Sequence, residues 1–241
     1  MIRVLILGGT AEAAELARAL DGQAEVISSL AGRAGVPDLP GTVRVGGFGG
    51  AAGLEDYLRA EAIERVIDAT HPFAARISAH AETACRAVGI PRLVLERPRW
   101  PRLPGDRWTV VDSVADAAAL LPRLGSRAFV TVGAGEVGGF AAVRGVWLLV
   151  RLLRDEVLPL EDYKVVTGRP PFAEADEADL MRENRIDVLV TKESGGVSTH
   201  GKIAAARSLG LPVLMIRRPP PPPGETVDSV AAAVAWLAHR A

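Results

Sequence analysis

The sequence has little of what metal sites, disulfides and membrane spans require. Cys85 is the only cysteine among the 241 residues, which excludes an intramolecular disulfide and a cysteine-based metal site. The four histidines (His71, His80, His200 and His239) show no HxxxH or HExxH spacing, so we predict no metal site. No apolar run reaches the roughly 20 residues needed to cross a bilayer. We therefore expect a cytoplasmic protein without a membrane partner.

The sequence also lacks an excess of either charge. Its formal net charge is −1, from 28 basic and 29 acidic residues. Such a balance argues against whole-surface attraction to nucleic acid, and an acidic ligand would need a local cluster of arginine and lysine. Apolar residues make up 49% of the chain, as in an ordinary globular protein. We expect a small-molecule ligand and no nucleic acid, and the sequence leaves the oligomeric state open.

Short apolar runs rich in Val, Ile and Leu alternate with Ala-rich helical stretches, which predicts an α/β fold with parallel sheets. We predict strands near residues 2–7, 24–28, 43–45, 65–69, 92–95, 127–132, 146–152, 164–167, 187–191 and 212–216. The last helix is predicted from about Thr226 to His239. Two segments break this rhythm, an Arg/Pro-rich stretch at 96–108 and five consecutive prolines at 219–223.

An internal repeat indicates two domains. When the chain is shifted by 121 residues, Val66–Pro98 aligns with Asp187–Pro219 without a gap. Both copies contain a strand, a polar loop, a helix, a Gly-(Ile/Leu)-Pro turn, a second strand and Arg-Pro. The alternative is a chance similarity, because a helix, a Gly-x-Pro turn and a strand often follow one another in α/β proteins. We predict two similar Rossmann-like domains at 1–97 and 109–241, joined by a connector at 98–108, with the site in the cleft between them.

The N-terminal segment carries a candidate phosphate-binding turn. Gly8, Gly9 and Thr10 follow the first strand directly and open the first helix. Glycines let a phosphate approach the backbone, and a helix N-terminus offers free N–H groups and a partial positive charge. The pattern departs from G-x-G-x-x-G because its glycines are adjacent and Ala13 takes the third position. A tight turn without a ligand is the alternative.

The residues after the second strand bear on the choice of cofactor. An NAD site usually has an acidic side chain here, which binds the ribose 2′-hydroxyl. This sequence instead has Ser28, Ser29 and Arg33. Hydroxyls and a guanidinium would bind a 2′-phosphate, whereas a carboxylate would repel it. We therefore predict NADPH, although an ordinary solvated arginine is the alternative for Arg33.

A literal G-x-G-x-x-G occurs at Gly133–Gly138, after a predicted strand, and Asp155 lies 22 residues after Gly133. By its motif alone it would be the better dinucleotide site. However, the stretch before the next predicted strand is too short for a full crossover helix. We favour a glycine-rich turn that lines the cleft and keep the pyrophosphate site as the alternative.

Two loops at equivalent positions of the repeat carry the remaining candidates. Thr70 and His71 follow one strand, and Lys192 begins the Lys-Glu-Ser-Gly-Gly loop after the other. Both loops leave the carboxyl end of a strand, where ligands of open α/β sheets bind. His71 could move a proton near neutral pH, and Ser194, Gly195 and Gly196 suit an anion or an amide. Arg99 could bind a carboxylate, with a solubilising linker as the alternative.

Together these motifs resemble the precorrin-6A and cobalt-precorrin-6A reductase family. The resemblance rests on Leu5-Ile-Leu-Gly-Gly-Thr-Ala-Glu12, Asp68–Ala74 (DATHPFA), Gly89-Ile90-Pro91, Glu96–Trp100 and Thr191–Gly196 (TKESGG). It implies two Rossmann-like domains and NADPH-dependent reduction of one double bond of an acidic tetrapyrrole in cobalamin synthesis. The G-x-G-x-x-G at Gly133–Gly138 is not a motif that we associate with this family.

The resemblance also implies roles for single residues. The pyrophosphate would be bound by Gly8, Gly9 and Thr10, and the rest of the cofactor site would be formed by Ser28, Ser29, Arg33 and Thr70. The substrate would be bound by Arg99, Lys192, Ser194, Gly195 and Gly196. The catalytic candidates are Lys192 and His71. A non-catalytic NADP(H)-binding regulator is the alternative function. A short-chain reductase is disfavoured because positions 61 and 167, four after each tyrosine, are Glu and Thr rather than Lys.

Overall fold

The structure is a computed structural model that describes residues 1–32, 35, 37–221 and 223–239. The chain divides into two compact units, each built around its own sheet. Unit 1 contains residues 1–98 and 219–241, and unit 2 contains residues 99–218. Each sheet has six strands, and all of the strand pairs in both sheets are parallel.

Unit 1 is a doubly wound sheet with strand order β12-β5-β4-β1-β2-β3. Its elements are β1 (Arg3–Leu7), α1 (Ala11–Ala19), β2 (Glu25–Leu30), β3 (Thr42–Val45), α2 (Ala51–Ala60), β4 (Arg65–Asp68), α3 (Ala75–Val88), β5 (Arg92–Leu95), β12 (Glu225–Val227) and α8 (Val230–Ala238). One core packs α1 and α8 against the sheet, and a second packs α2 and α3 against its other face.

Unit 2 has the strand order β6-β11-β10-β7-β8-β9. Its elements are β6 (Arg107–Val111), α4 (Val114–Leu120), β7 (Arg127–Val130), α5 (Ala134–Val137), β8 (Trp147–Leu152), β9 (Tyr163–Thr167), α6 (Glu174–Glu183), β10 (Val188–Lys192), α7 (Gly201–Ser208) and β11 (Pro212–Ile216). The order matches that of unit 1 strand for strand. The predicted α/β class with two similar Rossmann-like units is confirmed.

Each unit is completed by a strand from the other half of the chain. The strand that follows β5 in sequence, β6, pairs with β11 of unit 2, whereas β12 returns to pair with β5 of unit 1. The helix after β12, α8, also belongs to unit 1, because its Trp236 and Leu237 pack in the same core as Leu16 of α1. The chain boundaries therefore differ from those predicted, since residues 219–241 belong with residues 1–98.

Two predicted elements at this exchange need correction. The segment at 98–108 is not wholly a connector, because Arg107 and Trp108 begin β6. The last helix begins at Val230 rather than Thr226, because Glu225–Val227 pair with Leu93–Leu95 as a strand. Ser229 then caps the helix by accepting a hydrogen bond from the Ala232 amide at 3.4 Å.

None of the helices within the described residues is long and apolar enough to span a membrane. Across those same residues, no group of three or more His, Cys, Asp or Glu side chains is arranged to hold a metal ion.

Cys85 is a buried residue of α3, and burial raises the pKa of its thiol to about 12. Because the thiolate is the reactive form, we expect Cys85 to resist alkylation in the folded protein and to react readily in urea. The raised pKa also means that Cys85 favours the folded state less as the pH rises above the ordinary thiol pKa of about 8.5. Mass spectrometry after iodoacetamide treatment at pH 8 tests this, and rapid native labelling would contradict it.

Candidate functional site

Seven of the predicted site residues lie along the carboxyl edge of the unit 1 sheet. Strands β4, β1 and β2 are neighbours, so the segments that follow them meet at one edge. The glycine turn follows β1, the two serines lie near the end of β2, and Thr70 and His71 follow β4. Ligands of open α/β sheets bind in this position. The described part of unit 1 thus brings the catalytic candidate His71 to the same sheet edge as the six described residues that the sequence assigned to the cofactor.

The glycine turn has the geometry of a phosphate-binding turn. The Gly8 amide donates to the Ser29 carbonyl at 2.9 Å, and a Cβ on Gly8 would meet the Ala13 Cβ at 3.3 Å. Gly9 adopts φ +108°, and a Cβ placed on it would meet no described heavy atom within 4 Å. The backbone of Gly9 is therefore open to a ligand in a conformation that suits glycine alone. These features fit the pyrophosphate of a dinucleotide at the N-terminus of α1.

Thr10 has a structural task in this turn. Its Oγ1 accepts from the Ala13 amide at 3.1 Å and donates to the Ala69 carbonyl at 2.7 Å. The hydroxyl thus caps α1 and joins it to the segment after β4. Glu12, in the first turn of the same helix, is paired with the buried Arg97 at 3.5 Å. That arginine offsets the negative charge that Glu12 brings to the helix N-terminus.

Ser28 and Ser29 are both buried, and they project to opposite faces of β2. The buried Ser28 hydroxyl has no hydrogen-bond partner among the described residues. The Ser29 hydroxyl accepts a hydrogen bond from Arg44 Nη1 at 3.4 Å. Arg33, the predicted contact for a 2′-phosphate, lies outside the described residues.

Thr70 and His71 border a small cavity of about 40 Å³ at the ends of β4 and β5. The Thr70 hydroxyl donates to the Asp68 carboxylate at 2.7 Å and lies 3.2 Å from the Ser78 hydroxyl. Its side chain therefore orders the buried Asp68. The Phe73 amide donates a hydrogen bond to His71 Nδ1 at 3.2 Å. In the neutral imidazole the proton is therefore on Nε2.

Three of the substrate candidates of unit 2, Ser194, Gly195 and Gly196, lie on one loop after β10. Ser194 is buried, and its carbonyl accepts from Nη2 of the buried Arg218 at 2.9 Å. Gly195 and Gly196 both have positive φ, +66° and +73°, so the loop turns sharply at two residues that favour this conformation. The Gly196 carbonyl accepts from Trp100 Nε1 at 2.6 Å. The loop is therefore held at both ends by buried side chains.

Lys192, at the end of β10, pairs with Glu136 at 2.7 Å. Glu136 belongs to the G-x-G-x-x-G segment, where α5 is only four residues long, as the short spacing predicted. Arg99 pairs with Glu193 at 2.8 Å, so its charge is directed to a neighbouring carboxylate. The two cations of the predicted substrate site are thus each paired with a glutamate that lies in one of the marked motifs but was not itself a predicted site residue.

Three residues of these sites were missed from the sequence, namely Arg44, Glu136 and Arg218. Glu136 was within a marked motif, but its side chain became relevant only once β10 was known to lie beside β7. Arg218 occupies the position equivalent to Arg97 in the repeat, 121 residues later, and both arginines are buried. That repeated Arg-Pro was the available signal.

The fold defines a protein of two Rossmann-like α/β units, each with a parallel sheet. A model of the precorrin-6x reductase CbiJ/CobK family matches residues 3–238. The chain belongs to that family. It is 52% identical over 242 residues to a precorrin-6A reductase of Rhodococcus erythropolis, with 98% of each chain covered.

The chain is also similar to a cobalt-precorrin-6A reductase and to a solved structure. The chain is 29% identical to a cobalt-precorrin-6A reductase of Salmonella typhimurium, covering 90% of this chain and 88% of that one. A solved structure of CobK precorrin-6A reductase is 43% identical and superposes with a TM-score of 0.94, covering 99% of this chain and 97% of that one.

Proposed function

We propose that this chain is an NADPH-dependent reductase that converts precorrin-6A, or its cobalt form, to the dihydro product precorrin-6B in cobalamin synthesis. Similarity to precorrin-6A reductases along the whole length of the chain supports the reaction class. The single observation that supports a nucleotide in unit 1 is the open Gly9 backbone at the N-terminus of α1.

The cofactor supplies a hydride to the substrate when it is bound. In the proposed site, Gly9 binds the pyrophosphate through its backbone, and Gly8 supports the turn through the bond from its amide to the Ser29 carbonyl. Thr10 acts by capping the helix that faces the pyrophosphate. Ser28 and Ser29 lie where the adenosine ribose is expected, and Thr70 and His71 lie one strand further, beyond β1. Arg33 remains a predicted contact. The protein's task is to orient the two reactants and exclude water.

The substrate site is proposed on the loop after β10. A tetrapyrrole with acetate and propionate side chains needs cations and N–H donors, which Arg99, Lys192 and the Ser194-Gly195-Gly196 turn offer. Glu136 and Glu193 hold the two cations in place before the substrate arrives. Reduction also requires a proton at the adjacent carbon, and Lys192, His71 or a water bound to one of them would deliver it.

Lys192→Ala tests this assignment. We expect kcat/KM for the tetrapyrrole to fall by more than about fivefold, a loss of at least about 1 kcal/mol, because a substrate-facing charge is removed. Lys164→Ala is the matched control, since Lys164 is an exposed lysine of β9 in the same unit. A smaller loss than fivefold, or equal losses in the two variants, would exclude the role of Lys192.

The function itself is tested by absorbance assays of NADPH oxidation with precorrin-6A present or omitted. We expect oxidation only when the tetrapyrrole is present, and slower oxidation with NADH. If the metal-free compound is inactive, activity with the cobalt compound would assign the chain to the cobalt branch. NADPH binding without turnover of either compound would instead support the regulatory alternative.

A further inference from the structure

Arg44 lies beside the proposed cofactor site and is held in a defined orientation. Its Nη1 donates to the Ser29 hydroxyl at 3.4 Å and to the Gly46 carbonyl at 2.7 Å, and its Nη2 donates to the Gly47 carbonyl at 2.7 Å. The guanidinium lies over the Phe48 ring, 3.8 Å from its centroid. An arginine fixed in this way loses little further side-chain entropy when it binds a ligand.

The register of the sheet explains why Arg44 reaches the nucleotide edge. Arg44 of β3 pairs with Ser29 of β2, and Ser29 in turn pairs with Leu7 of β1. Partners in parallel strands project to the same face, so Arg44 and Ser29 lie side by side near the carboxyl ends of their strands. The Ser29 carbonyl also accepts from the Gly8 amide at 2.9 Å, which joins the pair to the glycine turn.

We propose that Arg44 recognises the 2′-phosphate of the cofactor and determines the preference for NADPH over NADH. The inference rests on the proposed function. In this fold the ribose of a dinucleotide is expected at the end of β2, where an acidic side chain selects NAD. Here Ser29 occupies that place, and the arginine of the adjacent strand is bonded to it. The pair provides a hydroxyl and a fixed positive charge instead of a carboxylate.

The hydrogen bonds of Arg44 leave donors for such a ligand. Its three bonds to described residues use three of the five N–H groups of a guanidinium. Nε–H and one Nη2–H remain for phosphate oxygens, with charge-assisted geometry. A half-buried position beside Phe48 also reduces the screening of its charge by water.

Residues 46–50 after β3 provide room beside the arginine. The segment reads Gly-Gly-Phe-Gly-Gly, and a Cβ built on any of its four glycines would meet no described heavy atom within 4 Å. Among the described residues, no side chain therefore occupies the space beside these four glycines. The single large side chain, Phe48, instead packs against Tyr57 and under Arg44.

The test compares binding of NADP+ and NAD+ to the purified protein by calorimetry, without the tetrapyrrole. We expect Arg44→Ala to raise the Kd for NADP+ by about 10- to 100-fold, as expected for loss of a charged hydrogen-bonding group, and the Kd for NAD+ by less than about twofold. Arg44→Gln, which keeps a polar side chain without the charge, is the second variant if the alanine variant folds poorly. Arg59→Ala is the control, because Arg59 of α2 pairs with Glu55 in the same unit.

Each outcome has a separate meaning. Selective loss of NADP+ affinity supports the proposal. Equal loss for both nucleotides would overturn it, because Arg44 would then act only by holding residues 46–50, and unchanged affinities would overturn it as well. If the unaltered protein prefers NADP+ while Arg44→Ala keeps that preference, only the role of Arg44 fails. If the unaltered protein binds neither nucleotide, the cofactor assignment fails and the inference with it.

Discussion

Gly9→Val is expected to weaken NADP+ binding by at least about 100-fold. Gly9 has φ +108°, a conformation that costs a β-branched residue on the order of 1–3 kcal/mol, so the turn would relax to another conformation. Binding would have to restore the turn and would lose backbone hydrogen bonds to phosphate. A combined loss near 2.7 kcal/mol corresponds to the 100-fold change. Isothermal titration of NADP+ measures it directly.

Gly22→Val is the matched control for this effect. Gly22 also has positive φ, +71°, and open space at its Cβ, but it lies in the turn between the C-terminus of α1 and β2. It should cause a similar strain and leave the affinity for NADP+ unchanged. If Gly9→Val binds as well as the unaltered protein, the nucleotide does not approach this turn.

Glu177→Ala is expected to destabilise unit 2 by about 3–5 kcal/mol. Glu177 of α6 is 1% exposed and pairs with Arg151 of β8 at 2.5 Å. The arginine also lies over the Phe129 and Phe172 rings, at 4.8 and 4.0 Å from their centroids. Removing the glutamate leaves a buried charge without its ion pair, which is the costly way to break such an interaction.

Urea unfolding followed by tryptophan fluorescence measures this loss, since Trp100, Trp108 and Trp147 all belong to unit 2. The double variant Arg151→Met/Glu177→Leu separates charge from packing. We expect it to unfold near the midpoint of the unaltered protein, because neither charge remains buried. A double variant as unstable as Glu177→Ala would show that the loss arises from packing rather than from an unpaired charge.

Much of the fold followed from local patterns in the sequence. The 121-residue repeat corresponds to β4-α3-β5 in unit 1 and to β10-α7-β11 in unit 2, in equivalent places of the two sheets. The exchange of β6 and β12 could not be predicted in the same way. Val111–Ala115 and Val227–Ala231 share the sequence Val-Asp-Ser-Val-Ala, so the residues where each strand ends and its helix begins do not distinguish the two segments. Which edge each strand joins depends on long-range pairing and not on its own residues.

The candidate site was predictable wherever backbone conformation carries the signal. Gly9, Gly195 and Gly196 were chosen because they are glycines near strand ends, and all three have positive φ. Side-chain partners were less accessible. Arg44 reads as an ordinary strand residue until its register with Ser29 is known, and Glu136 needs the proximity of β7 and β10 before it can be matched to Lys192. Residues 56 positions apart, such as Glu136 and Lys192, meet only through the sheet.

The most direct test of the proposed function follows hydrogen from the cofactor into the tetrapyrrole. Precorrin-6A is incubated with the protein and NADPH that carries deuterium on the transferred position of the nicotinamide, and the product mass is recorded. The proposal predicts a product with two added hydrogens, one of them deuterium from the cofactor and the other from water. A tetrapyrrole of unchanged mass, with NADPH bound but not oxidised and the cobalt compound equally inert, would contradict it.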